Sequence, residues 1–155
     1  MTQAPWRRYG ALVLSAVFLH LVLIQPNHPA AMTWGALGAF ALEWPLLLLA
    51  LPVIGDRRAG RLIRAVLTLA LTVIVVLKAA DFGMFTAFAR GFNPVGDMPL
   101  IAAAFRLTSG SIGLLPALGA ALGVVAVVIA FAACLWWAMG IWARLPLPRP
   151  AQFAA

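Results

Sequence analysis

Acidic side chains are the scarcest charged groups in this sequence: four Asp and Glu stand against eleven Lys and Arg, and only two histidines accompany them. There is no Cys/His cluster at metal-ligand spacing, no glycine-rich phosphate loop and no Ser–His–acid pattern, so neither a metal nor another cofactor is expected. The single cysteine, Cys134, lies in an apolar run. It excludes an intrachain disulfide and reads as a small lipid- or helix-facing residue. Charge of either sign is sparse, at 10% of residues, whereas 65% are hydrophobic and the mean hydropathy is +1.03. Soluble domains hold roughly 45–50% apolar residues. A soluble core of 155 residues does not bury that much more hydrocarbon, so lipid must solvate it. The net charge of +7 does not indicate nucleic acid, because no recognition motif accompanies it and the basic residues punctuate the ends of apolar runs.

Those runs predict an all-α integral membrane bundle forming a single polytopic domain over residues 1–155. A helix needs about 20 apolar residues to cross roughly 30 Å of hydrocarbon. Four spans are expected, at about 9–25, 34–54, 62–85 and 112–143. The first follows Arg7 and Arg8 and stops at Pro26; Pro29-Ala30-Ala31 is a poor cleavage site, so a retained span is favoured over a signal peptide. The fourth run is longer than the bilayer is thick, and must tilt, protrude or break near Pro116. Trp136, Trp137 and Trp142 near its end form half of an aromatic belt. The proline-rich stretch from Leu145 to Pro150 reads as the end of the last helix.

The arginines set the orientation. Arg7, Arg8, Arg57, Arg58, Arg61, Arg64, Arg144 and Arg149 fall on one side of the four-span arrangement, which the positive-inside rule assigns to the cytoplasm. Both termini are then cytoplasmic, and the segments Pro26–Thr33 and Thr86–Ser111 face outward. A charge at mid-bilayer costs roughly 2.5–3.5 kcal/mol on insertion scales, so charges inside spans need a partner or a purpose. With the turn between spans two and three centred near Ala59 and Gly60, Glu43 and Lys78 fall at one depth and form an expected ion pair. Asp81 lies one turn further out, and His20 falls in the outer half of span one, within reach of that layer. The four residues read as a packing ion pair with neighbours, as the lining of an outward polar cavity, or as a proton or ion relay. Gly119 and Gly123 have the spacing of a close helix contact, within this chain or with another.

Between spans three and four, Asp81, Phe82, Phe85 and Phe88 can share one helical face. Asn93-Pro94 and Gly96 break the chain, and Asp97 can cap a short interfacial or re-entrant helix at about 98–107. Leu77-Lys78-Ala79-Ala80-Asp81, Ala87-Phe88-Ala89-Arg90, Phe92-Asn93-Pro94, Asp97 and Ser109-Gly110-Ser111-Ile112-Gly113 together resemble the N-terminal membrane domain of bacterial sulfatase-like hydrolases, of the alkaline-phosphatase superfamily. The resemblance covers about 37 residues. It departs at Gly91, where proline would follow the arginine, and in the missing extracytoplasmic catalytic domain. It implies a bacterial inner-membrane, multi-pass module that is not an enzyme by itself, and that anchors or presents lipid to an extracytoplasmic sulfatase-like partner. Arg90, Asn93, Asp97 and Arg106 would then face outward, the arginines as candidates for holding an anionic headgroup. If a catalytic domain followed the proline-rich stretch it would begin on the wrong side for that superfamily, so the chain is expected to end there or to continue into a further span. A small transporter or ion-conducting subunit using Glu43 and Asp81, and a structural subunit of a larger membrane complex, are the alternatives.

Overall fold

The computed structural model describes residues 5–146, and every regular element in that range is helical. Helix α1 spans Pro5–Ile24, a 3-10 turn covers Pro29–Ala31, and α2 is a single turn, Trp34–Leu37. Helix α3 runs Glu43–Ile54, α4 Arg58–Phe88, α5 Met98–Ile112 and α6 Leu114–Ala143. Three of these, α1, α4 and α6, are long and apolar enough to cross a membrane, and the protein is membrane-embedded. The part of the proline-rich stretch beyond Pro146, with Arg149, lies outside the described residues.

The second expected span is not one helix. A proline ring clashes with the carbonyl four residues earlier and supplies no N–H, so it is accommodated at least cost in a first turn and weakens the helix elsewhere. Pro45 takes the low-cost position, because α3 begins at Glu43 and places the proline third, whereas Pro52 lies inside the same helix. Gly38–Leu42 ahead of it is irregular, and the single turn α2 is capped by the Thr33 hydroxyl, which accepts from the Ala36 N–H. At 12 residues α3 is about 18 Å long, well short of the hydrocarbon thickness.

Helix α6 is the post on which the bundle is built: α1, α3, α4 and α5 all pack on it. The core comprises Leu19 and Val22 of α1, Leu48 and Leu51 of α3, and Leu135, Ala138 and Met139 of α6, with Leu67, Leu71 and Val75 of α4 packed alongside. The end of the molecule that carries Arg57, Arg58, Arg61, Arg64 and Arg144 is here termed the arginine end. The opposite side, carrying the segment after α4, is the loop end. Two indole contacts tie α1 to α3 and α6: Trp44 Nε1 donates to the Ala16 carbonyl at 2.8 Å, and Trp142 Nε1 donates to Ser15 Oγ at 3.0 Å. An indole N–H buried among apolar side chains needs such an acceptor.

Gly119 and Gly123 make no close contact within the chain, and a Cβ at either position would meet open space. The buried positions of α6 are Ala117, two residues before Gly119, and, in its other half, Leu135, Ala138, Met139, Gly140 and Ala143. The helix after Asp97 is longer than expected, because Thr108–Ser111 continue it rather than close it. It stops at Gly113, whose φ of +90° a side chain would oppose, and α6 starts at the next residue.

Candidate functional site

Lys78, at the loop end of the core, points at the end of α1 rather than at α3. Its Nζ donates to the carbonyl of Gln25 at 2.9 Å and to that of Leu23 at 3.4 Å. The last carbonyls of a helix have no partner within it and carry the negative end of its dipole, so an ammonium there meets two needs at once. The expected pair with Glu43 does not form: Glu43 is exposed, and no ion pair joins it to another described residue. The error is one of register. The turn between α3 and α4 is Gly55–Arg57, not Ala59-Gly60, which already belong to α4. Counted from that turn, Glu43 is level with about Leu69, roughly 13 Å from the depth of Lys78 at 1.5 Å per residue.

His20 and Asp81 are likewise separated from the others. The His20 ring packs edge-on against Trp44 at 5.3 Å between centroids and tilts against Phe40 at 6.4 Å. Its Nδ1 is buried and finds no hydrogen-bond partner among the described residues. Asp81 Oδ1 accepts from the Phe92 N–H at 2.8 Å, tying the loop back onto α4. The four residues read from the sequence as one polar cluster therefore occupy separate places. Among the described residues, no three His, Cys, Asp or Glu side chains come together in a way that could hold a metal ion.

Arg90, Asn93 and Asp97 do come together. Helix α4 ends where Ala89 turns left-handed, at φ +53°, and the chain folds back. Arg90 Nη1 donates to Asp97 Oδ2 at 2.9 Å and Nη2 to Asp97 Oδ1 at 2.6 Å, a bidentate pair of the strong, orientation-fixing kind. The Asn93 N–H also donates to Asp97 Oδ2 at 2.7 Å. The Asn93 side-chain oxygen accepts from the N–H groups of Val95 and Gly96, an Asx turn. The Arg90 guanidinium, followed by the Asn93 N–H, holds the Asp97 carboxyl below its ordinary value of 3.8, and Asp97 raises Arg90 in return. Asp97 stands at the N-cap position of α5 without capping it through its side chain, because both oxygens are engaged by the loop. Arg106 is apart from this group, on α5, where it is exposed and its Nε donates to the Ala102 carbonyl.

The loop end also carries a cavity. A groove of about 700 Å³ is lined by Leu21, Ile24, Gln25 and Pro26 on one side and by the Met32–Ala36 stretch on the other. Its walls are mostly apolar, with Gln25 and Thr33 supplying the polar groups. Its size falls within the few-hundred to thousand Å³ range typical of small-molecule sites. Nearby, the His28 ring packs on Phe85 of α4 at 4.3 Å between centroids, and its Nδ1 accepts from the Ala30 N–H, holding the 3-10 turn in place. Nothing in the sequence pattern marked this groove, which forms between the end of α1 and the segment leading into α2.

A second group lies at the arginine end. Asp56 accepts from Arg144 Nε at 3.1 Å, and Arg64 Nη1 approaches its other oxygen at 3.2 Å. Arg64 is only 3% exposed, with its guanidinium carbon 3.8 Å from the centre of the Trp136 ring, a cation–π contact. The hydrogen bond from Arg144 does most to keep Asp56 below its ordinary value of 3.8; the nearby charges of Arg64, Arg144 and Arg61 add to it, against the desolvation that opposes it. Arg144, the residue after α6, and Arg64 of α4 are brought to Asp56 by the tertiary fold.

No family model matches the chain, and no curated protein or solved structure matches it.

Proposed function

We propose that the chain is a non-catalytic membrane module that holds a lipid at its loop end and presents it to an extracytoplasmic hydrolase- or transferase-type partner, in the inner membrane of a bacterium. The observation that carries the reading is the apolar groove between the end of α1 and Met32–Ala36. It is walled by aliphatic and aromatic side chains, and Met32 and Trp34 at its rim are largely exposed. An acyl chain entering from the bilayer exchanges one apolar surrounding for another, so little is lost by its transfer and shape decides retention. On the positive-inside assignment the groove faces the outer leaflet. The loop closed by Arg90 and Asp97 lies at the same end and offers a partner a surface already ordered before contact, which reduces the entropy lost on docking. The partner class rests on the sequence resemblance described above, in the segment Leu77–Gly113.

The test is the lipid bound per chain after purification in mild detergent, measured by mass spectrometry for the unaltered chain and for Ala36→Trp, which fills the groove. Lipid at near one equivalent, lost in the variant while the fold is kept, supports the reading. Equal lipid in both refutes the groove as the site. Stoichiometric recovery of an extracytoplasmic hydrolase with the tagged chain tests the partner.

A small transporter or ion-conducting subunit is the second reading, favoured by one specific feature. Irregular backbone at Gly38–Leu42 precedes the half-length helix α3, and Glu43 at its start is exposed without an ion-pair partner. Irregular backbone at membrane depth is tolerated where it is buried in protein or lines a water-filled cavity, and broken helices with an ionisable residue are how many transporters build their sites. Ion flux into vesicles that depends on Glu43 would make this the better reading.

A further inference from the structure

The arginine end has more positive charge than its own acid can answer. Among the described residues, Arg57, Arg58, Arg61, Arg64 and Arg144 stand at this end with a single acidic side chain, Asp56, which Arg64 and Arg144 share and whose charge Arg61 also feels. Arg64 is the unusual member. It is wedged between α4 and α6, against the Trp136 ring on one side and Gly140 on the other, and is almost fully buried. Its Nε and Nη1 are nevertheless without an aligned acceptor, and the approach of Nη1 to Asp56 is a charge contact rather than a formed hydrogen bond. A buried guanidinium with open donors is costly unless something supplies oxygen atoms.

The backbone at the same place adds to this excess. Helix α4 is 31 residues long, and its first turn has neither an acidic residue nor a side-chain cap; the residue in the cap position is Arg57. The orphan N–H groups and the positive end of the dipole are thus reinforced by arginines instead of being neutralised. Gly60 is buried here, and a Cβ on it would collide with the Gly55 carbonyl, which shows how tightly the turn is folded under the helix.

We propose that this end of α4 and α6 binds the phosphate group of an anionic phospholipid from the adjoining leaflet. A phosphodiester carries one negative charge and several acceptor oxygens, which fits the exposed arginines Arg58 and Arg61 and the uncapped first turn of α4. The lipid is favoured over a soluble anion by what flanks the site. Leu62 and Ile63 follow directly on α4 and are exposed, and Trp137, exposed on α6, lies among the three tryptophans of that end. Exposed apolar side chains below a ring of basic and indole groups give the acyl chains a wall to lie along while the headgroup meets the arginines. This site is separate from the groove at the loop end and stands or falls independently of it.

The experiment uses the full chain in detergent micelles and follows its thermal unfolding with added phosphatidylglycerol, phosphatidylcholine or inorganic phosphate. Phosphatidylglycerol is expected to raise the midpoint saturably, with no such effect from phosphatidylcholine or from phosphate at the same concentration. Arg58→Gln and Arg61→Gln, at exposed positions whose side chains make no hydrogen bond among the described residues, should each weaken the apparent phosphatidylglycerol affinity about fivefold. Arg8→Gln, at an exposed arginine on α1, should leave it unchanged. An equal shift with phosphatidylcholine, or one undiminished in both Arg58→Gln and Arg61→Gln, overturns the proposal. A saturable shift from inorganic phosphate alone would make this a soluble-anion site and overturn the lipid assignment. The comparison among the three ligands on the unaltered chain remains decisive even if a variant fails to fold.

Discussion

The ammonium of Lys78 is 2.9 Å from the carbonyl oxygen of Gln25, so a charge carried within α4 is also what finishes α1. Without water to satisfy them, the last carbonyls of a helix depend on another part of the protein. The contact also sets the height of α1 against α4. Helix α4 continues ten residues past Lys78 to Phe88, about 15 Å beyond the end of α1, and the ordered loop is built on that extension.

Replacing Lys78 by Met should therefore destabilise the protein by about 1–3 kcal/mol, the range for leaving buried polar groups without partners. Glu43→Gln should have little effect on stability, because Glu43 is exposed and holds no ion pair among the described residues. Chemical unfolding in mixed micelles distinguishes the two. Equal losses for both variants would restore the ion pair that the structure lacks.

Ala89 offers a gain in stability. It is the only non-glycine residue with positive φ among the described residues, at +53°, and the left-handed region costs an L side chain roughly 1–2 kcal/mol. Ala89→Gly should raise stability by about 1 kcal/mol, the greater freedom of glycine in the unfolded chain offsetting part of the relief. A fall in the unfolding midpoint would mean that the Ala89 methyl makes contacts that matter more than its backbone strain.

Acid should open the loop. The folded-state pKa of Asp97 is depressed, first by the Arg90 hydrogen bond, so the group stabilises the fold above its unfolded value, near 3.8, and that contribution is lost as pH falls toward the folded value. Backbone hydrogen exchange or limited proteolysis across residues 89–97 should be flat down to about pH 4 and rise below it. Asp97→Asn should show the open-loop level at neutral pH and little further change in acid. If that variant protects the loop as well as the unaltered chain does, the Arg90–Asp97 pair is not what closes it.

At the arginine end, Gly140 leaves room for Arg64. A Cβ there would be 3.4 Å from Arg64 Nη1 before any larger branch is added. Gly140→Val should push the guanidinium off the Trp136 ring, lower stability and shift tryptophan fluorescence. Gly140→Ala should do so only slightly, since the end of the arginine can give by a few tenths of an ångström. Equal tolerance of both would place Arg64 elsewhere.

Much of the architecture was legible without coordinates, and particular residues show why. The apolar runs ending at Gln25, beginning at Leu62 and closing at Ala143 appear in the structure as α1, α4 and α6, because length and hydrophobicity alone decide whether a segment can lie in hydrocarbon. Pro45 carried a signal that went unused. A proline in the third position of α3 favours a helix start at Glu43, although Pro52 is accommodated inside the same helix, and the break ahead of Glu43 turns an expected span into a short turn, an irregular stretch and a 12-residue helix. Asn93, Pro94 and Asp97 correctly marked a structured turn, yet nothing in their spacing showed that Asp97 would take Arg90 as its partner rather than cap α5.

What the sequence by itself determined was local: which segments enter a membrane, which end is rich in arginine, and where proline and glycine interrupt a helix. These follow from the transfer energy of single segments and from the hydrogen bonding of each residue with its own neighbours. Tertiary structure alone decided which charges meet. Lys78 reaches Gln25 across 53 positions, Arg144 reaches Asp56 across 88 and Trp142 reaches Ser15 across 127. Those pairings depend on the relative height and rotation of packed helices. A shift of four residues in one turn moves a side chain about 6 Å along its helix, farther than any hydrogen bond can stretch.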